Sequence, residues 1–157
     1  MVLCDDAIIS KINGSARGKQ ETTDVLSFPQ YDDAIDLVGQ QVIAALASGT
    51  ATEARHVTIE GDIQRNDKDL FGDAALPIGD IVICLSQAWR QANGAQCVGE
   101  LSNISTLSDE SRHQLLAEVV VLLVHGICHL LGFDHDSDTG RKQMASAEHR
   151  LLRDIGY

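Results

Sequence analysis

Basic residues are scarce in this chain. Twelve Lys and Arg stand against 23 Asp and Glu, a formal net charge of −11. That balance argues against strong nonspecific binding to RNA, which depends on neutralising many phosphates. The four cysteines, at positions 4, 84, 97 and 128, form no C-x-x-C pair, and nothing resembles the apolar core of a secretory leader. Both absences favour reduced thiols and an intracellular, cytoplasmic protein. No apolar run approaches the length of a bilayer span without a charged or polar interruption. The longest, Val119 to Val124, suits a turn of core helix, so no membrane association is expected. Internal repeats and low-complexity tracts are missing too, and 157 residues suit a single domain with one core, residues 1–157. The two prolines, Pro29 and Pro77, flank an acidic segment holding Asp32, Asp33, Asp36, Asp62, Asp67, Asp69 and Asp73, which reads as a solvated face.

Periodicity supplies the elements. Strands are expected at Val2 to Cys4, Asp24 to Phe28 and Asp80 to Leu85, with another at His56 to Glu60. Helices are expected at Asp6 to Asn13, Ala34 to Ala47, Ser86 to Asn93, Ser108 to Leu131 and Arg141 to Ile155. The fold class is α+β, a small mixed sheet packed on helices. Thr106-Leu107-Ser108-Asp109 reads as a capping box for the long helix. Leu115, Leu116, Val119, Leu122 and Leu123 give that helix a broad apolar stripe.

The chemistry concentrates at the end of the long helix, in His125-Gly126-Ile127-Cys128-His129-Leu130-Leu131-Gly132-Phe133-Asp134-His135. His125 and His129 are one helical turn apart on one face, with Cβ atoms about 5 to 6 Å apart. A straight helix cannot bring a third ligand round from position 135. Gly132 stands where a left-handed cap would turn the chain back. Three protein nitrogens with a fourth position left for water make a catalytic metal site, one that lowers the pKa of its water to about 7. Zinc is the expected ion, and nickel is also compatible with imidazole ligands. Cys128 points about 100 degrees away from His129 and is expected to pack in the core. Met144 shares helix spacing with Ala147 and Leu151 and is also expected there. His56, His113 and His149 fit no motif and read as surface residues.

The histidine and glycine spacings match the metzincin protease pattern H-E-x-x-H-x-x-G-x-x-H, but the glutamate that serves those proteases as general base is replaced by Gly126. A peptidase using that base is therefore disfavoured. Glycine within a helix costs about 1 kcal/mol against alanine, so something must favour it. Close packing against a strand and room for a bulky substrate are the two explanations open at this stage.

The same eleven residues are similar to the H-G-x-x-H-L-x-G-[YF]-D-H signature of the YbeY family of metal-dependent endoribonucleases, which act on ribosomal RNA. Thr23-Asp24-Val25-Leu26-Ser27-Phe28-Pro29 and Gly79-Asp80-Ile81-Val82-Ile83 resemble two strand motifs of that family. Ile12-Asn13 with Ala16-Arg17-Gly18-Lys19 resembles its L-N-x-x-[YF]-R-G-K segment, with Ala16 in place of the aromatic. The resemblance implies His125, His129 and His135 as metal ligands, with Arg17 and His125 as catalytic residues. It also implies a single-stranded rRNA substrate, small-subunit rRNA 3′-end processing, ribosome quality control, and ribosome or small-subunit proteins as partners. Because the family also occurs in organelles, a mitochondrion or plastid is the alternative to the cytoplasm. Set against the family pattern, an amino-terminal strand and helix are expected to be missing from this sequence, and residues 30–76 are expected to be an insertion.

Arginine suits phosphate through its forked donors, and Asp134, beside a ligand, is expected to orient an imidazole rather than act as a base. Two other functions fit the same residues: a metallohydrolase of another substrate, or a noncatalytic, metal-binding module of the ribosome.

Overall fold

A computed structural model describes residues 1–30, 78–94, 101 and 103–157. The helix expected at 34–47, the strand expected at 56–60, Cys97 and nearly all of the 30–76 segment lie outside these residues. The described chain contains strands β1 (Val2–Cys4), β2 (Val25–Pro29) and β3 (Gly79–Cys84) and helices α1 (Asp6–Arg17), α2 (Leu85–Asn93), α3 (Asp109–Leu130) and α4 (Asp138–Asp154). A short 3-10 turn at Ile104–Thr106 precedes α3. The architecture is α+β, as expected.

The sheet order is β1-β3-β2. β1 runs parallel to β3, with Val2, Leu3 and Cys4 opposite Val82, Ile83 and Cys84. The Cys84 N–H donates to the Asp24 carbonyl at 2.8 Å and the Gln30 N–H to the Ile78 carbonyl at 3.2 Å. Rising numbers in β2 therefore meet falling numbers in β3, and that pair is antiparallel. The sheet is mixed. β3 lies in the middle and its last four residues are all buried, which suits its unbroken Ile-Val-Ile-Cys run.

The contacts divide the chain into two compact units, one of Met1–Phe28 with Asp80–Ile127 and the other of Pro29–Gly79 with Cys128–Tyr157. In the first, Cys4, Ile9, Leu26, Val82 and Cys84 form one buried cluster, with Ile12 and Phe28 packed against it. In the second, Cys128, Leu130, Phe133, Met144 and Ala147 are buried. Cys128 and Met144 thus sit where their helical spacing put them.

Four details differ from the sequence reading. α1 runs one turn further, to Arg17, and ends on Gly18 in the left-handed region at φ 70°, its N–H bonded to the Gly14 carbonyl. Alanine at 16 favours that extra turn, and Gly14 tolerates it. α4 begins a turn earlier, at Asp138, because the Ser137 hydroxyl accepts from the Gly140 N–H at 2.9 Å and caps it. The cap of α3 is Ser108, whose Oγ accepts from the Ser111 N–H at 3.2 Å, rather than Thr106, which closes the preceding 3-10 turn onto the Asn103 carbonyl. Leu116 is exposed, while Leu115, Val119 and Leu122 are buried. One buried row follows i, i+4, i+7 from Leu115 and continues to Gly126, and Val124, Cys128 and Leu130 are buried as well towards the end of the helix.

By length and apolarity α3 alone among the described helices could cross a membrane, but only on those two grounds. Its interruption by Glu118, His125, Gly126 and His129, and its buried stripe, are those of a core helix.

Candidate metal centre

Close packing explains the glycine in the motif. A Cβ at Gly126 would lie 3.0 and 3.2 Å from the Ile81 Cγ2 and Cδ1 and 3.1 Å from the Ser27 Oγ. The helix backbone therefore lies against β3 and β2 where any side chain would intrude. The Ser27 hydroxyl also donates to the Gly126 carbonyl at 3.1 Å. Of the two explanations left open above, close approach to a strand is the one that the packing favours, and it leaves no need for substrate room at that position.

The end of α3 is closed by a Schellman motif. The Gly132 N–H donates to the His129 carbonyl at 3.0 Å and the Phe133 N–H to the Cys128 carbonyl at 3.0 Å. Gly132 has φ 86°, a left-handed conformation that a side chain would disfavour by about 1–2 kcal/mol. Buried Phe133 and buried Cys128 supply the apolar closure that accompanies such caps. The chain turns back where the sequence places its glycine.

That turn brings the three histidines together. Ligand nitrogens of His125, His129 and His135 all lie within 4.8 Å of one another. His129 and His135 meet edge to face, with ring centroids 5.0 Å apart at 77°. His125 and His129 are half-buried and His135 is exposed, so the group is rooted in the fold and open on one side. His129 Nδ1 lies 3.2 Å from the Phe133 carbonyl oxygen. A carbonyl can only accept, so this contact calls for the proton on Nδ1, and in the neutral ring that leaves Nε2 as the acceptor nitrogen, the tautomer a metal ligand needs. Three imidazoles so arranged form a group that could hold a metal ion.

The remaining candidates take these places. The Asp134 carboxylate accepts from the Asp136 N–H at 2.8 Å, an Asx turn that shapes the loop carrying His135. The Arg141 guanidinium donates to the His135 carbonyl at 3.1 Å and pairs with Asp138, tying that loop to the start of α4. Arg17 is exposed at the carboxyl end of α1, in the last helical residue before Gly18. Beside it, Lys11, Ser15, Ala16, Ile8, Ile12 and Phe28 line an open groove of about 660 Å3. Cys128, between two of the histidines in sequence, is fully buried, and burial with Glu148 nearby pushes its thiol up to about 12. It is unsuited to act as a thiolate ligand or nucleophile.

Reasoning from sequence missed the two contacts that set the histidines: the Ser27 hydroxyl, 99 residues away from the carbonyl it meets, and the Phe133 main-chain carbonyl. Only the second had a local signal, because a Schellman turn after Gly132 brings residue 133 back over the last helical turn.

The comparison with known proteins adds to this geometry. A family model described as Endoribonuclease YbeY matches residues 1–156. The chain belongs to the YbeY family. It is 29% identical to the chloroplastic endoribonuclease YBEY of Arabidopsis thaliana, over 100% of this chain and 18% of that protein. It is 30% identical to endoribonuclease YbeY of Prochlorococcus marinus, over 96% of this chain and 54% of the relative. With that of Moorella thermoacetica it shares 31% identity, over 99% of this chain and 71% of the relative. The chain thus spans between about a fifth and three quarters of the length of these YbeY relatives. The histidine group, the glycine slot and the Ser27 strand all lie within the stretch matched to the family.

Proposed function

We propose that this chain is a metal-dependent endoribonuclease domain that cleaves single-stranded ribosomal RNA. In this reading it acts in small-subunit rRNA 3′-end maturation and ribosome quality control, in the cytoplasm, alongside ribosomal proteins. The observation that carries the reading is the convergence of His125, His129 and His135 at the capped end of α3 in a chain of the YbeY family. Zinc is the ion of choice for three histidines with an open position, and nickel would be accepted by the same donors. Such an ion supplies Lewis acidity, which stabilises charge on phosphoryl oxygens and lowers the pKa of bound water to about 7.

The chain's own residues divide the remaining work. His129, with its proton held on Nδ1 by the Phe133 carbonyl, presents Nε2 as a ligand. His125 sits one turn earlier on the same helix, and His135 is delivered by the Gly132 turn. Arg17, exposed in the same amino-terminal segment as Lys11 and Lys19, pairs with nonbridging phosphate oxygens through its forked donors and meets the charge that grows on them. The overall acidic balance leaves little general affinity for RNA, so selectivity falls to this local basic segment. Gly126, packed against Ile81, leaves no base where a metzincin peptidase has its glutamate.

The test pairs metal analysis with cleavage of single-stranded and duplex RNA. Wild-type protein should hold one ion per chain and cleave the single strand. His129→Ala should lose both ion and cleavage, whereas Arg17→Ala should lose cleavage and keep the ion. Wild-type protein without stoichiometric metal, or Arg17→Ala with full activity, would overturn the corresponding assignment.

A further inference from the structure

The buried row Leu115, Val119, Leu122 and Gly126 runs along the face of α3 that is packed away from solvent, and at its last position the helix has no side chain at all. Contact there is made by the main chain. The would-be Cβ of Gly126 lies 3.0 Å from the Ile81 Cγ2 on β3, and Ile81 is itself 5% exposed and so cannot swing clear. The Ser27 Oγ lies 3.1 Å from the same point and donates to the Gly126 carbonyl at 3.1 Å. One helix turn is thus held by a steric stop from β3 and a hydrogen bond from β2, and that turn carries His125 and His129.

We infer that Ser27 is a positioning residue for the histidine group, acting through the Gly126 carbonyl to set the rotation and height of α3 over the sheet. The inference rests on the metal-site reading proposed above. Side-chain tips stand about 5–6 Å from a helix axis, so rotation by about 5° moves an imidazole by about 0.5 Å. Coordination distances tolerate only about 0.2 Å. A hydroxyl that removes a few degrees of freedom from the helix is therefore felt at the ligands. The carbonyl of residue 126 belongs to the helix ladder in any case, so Ser27 is not needed to satisfy it, and its bond contributes orientation rather than rescue of a buried polar group. The stop and the bond work together: Gly126 lets the helix approach and Ser27 fixes where it settles.

The experiment titrates purified wild-type protein, Ser27→Ala, Ser27→Thr, Gly126→Ala and the Gly126→Ala/Ile81→Ala double variant with Zn2+ against a chelator. It also records the visible absorption of the Co2+-loaded forms, which reports ligand geometry, and the thermal midpoint of each metal-free form. Ser27→Ala is expected to bind Zn2+ about tenfold more weakly, as substitutions behind metal ligands typically do, and to shift the Co2+ bands. Its metal-free midpoint should move by no more than about 4 °C, the effect of one hydrogen bond. Ser27→Thr, which keeps the hydroxyl, should retain the wild-type spectrum. Gly126→Ala should weaken binding, and removing the Ile81 side chain should recover part of the loss. Ser27→Ala with wild-type affinity and spectrum overturns the positioning role while leaving the metal site standing. Wild-type protein that binds neither ion overturns both.

Discussion

Arg90 grips Asp6 at two points, with Nη1 3.0 Å from Oδ2 and Nη2 2.5 Å from Oδ1, so the fourth residue from the end of α2 is tied to the first residue of α1. The Cys84 thiol donates to the same carboxylate at 3.3 Å. The Arg90 hydrogen bonds hold the Asp6 carboxyl below its usual range, with Cys84 adding to them against a smaller opposing effect of burial. Because the folded pKa is the lower one, the pair's contribution is present above the unfolded value of 3.8 and lost as pH falls through the folded value. Both side chains are about 40% exposed, so the contribution belongs on the surface scale of about 0–1 kcal/mol. Arg90→Met should lower stability to urea by that amount at pH 7, with the difference from wild type closing in the acid range. A difference that persists at pH 2 would contradict the account.

The buried thiols give the opposite, alkaline signature. Burial pushes Cys84 up to about 11 and Cys128 up to about 12, against an unfolded value of 9.0. The folded state keeps these protons longer than the unfolded one, so the thiols' contribution to stability should be flat below pH 9 and fall as pH rises from 9 towards 11. Iodoacetamide at pH 8 should leave both residues unmodified in native protein and label both in urea, as peptide mass spectrometry would report.

Gly140→Ala sets two effects against each other. Alanine is the better helix former by about 1 kcal/mol, yet its Cβ would lie 2.5 Å from the Asp134 carbonyl oxygen and 3.0 Å from the Ser137 Oγ. A backbone oxygen cannot move alone, so the clash wins and the loop carrying His135 must shift. A net destabilisation of about 1–3 kcal/mol by denaturant unfolding is expected, together with weaker Zn2+ binding. Equal or higher stability would show that the loop yields without strain.

Gly132→Ala tests the turn itself. At φ 86° the new side chain should cost about 1–2 kcal/mol, and His135 should be displaced from its partners. The measurement is Zn2+ affinity beside that of His135→Ala. The two variants should be weakened alike, and a Gly132→Ala affinity equal to wild type would mean that the turn is not what delivers the third ligand.

Local chemistry explains what was legible beforehand. The histidine spacing, Gly132 and the burial of Cys128 and Met144 all follow from helix periodicity and one cap, and the structure places them accordingly. The three described strands fall within one residue of their expected ends, since each is a short run of strand-forming residues. Helix ends were read less well because they are set by single hydrogen bonds. Ser137 and Ser108 compete with neighbours that look equally able to cap, and a propensity window does not weigh one bond. Leu116 reads as part of the apolar stripe from its place beside Leu115, and only the direction of the packed face reveals that it is exposed. Ser27 is the clearest case of a residue whose role is nonlocal: within its own strand it is one hydroxyl among apolar neighbours, and its partner is 99 residues away.

The contact between His129 and residue 133 has an evolutionary corollary. The oxygen that fixes the imidazole proton belongs to the main chain, so it is present whatever side chain residue 133 bears. Mutation there can alter the packing of the buried ring of Phe133 without erasing the instruction about which nitrogen faces outward. The state of the ligand is written into the path of the backbone. A lineage can therefore lose that side chain and still keep the donor, so long as the glycine before it survives.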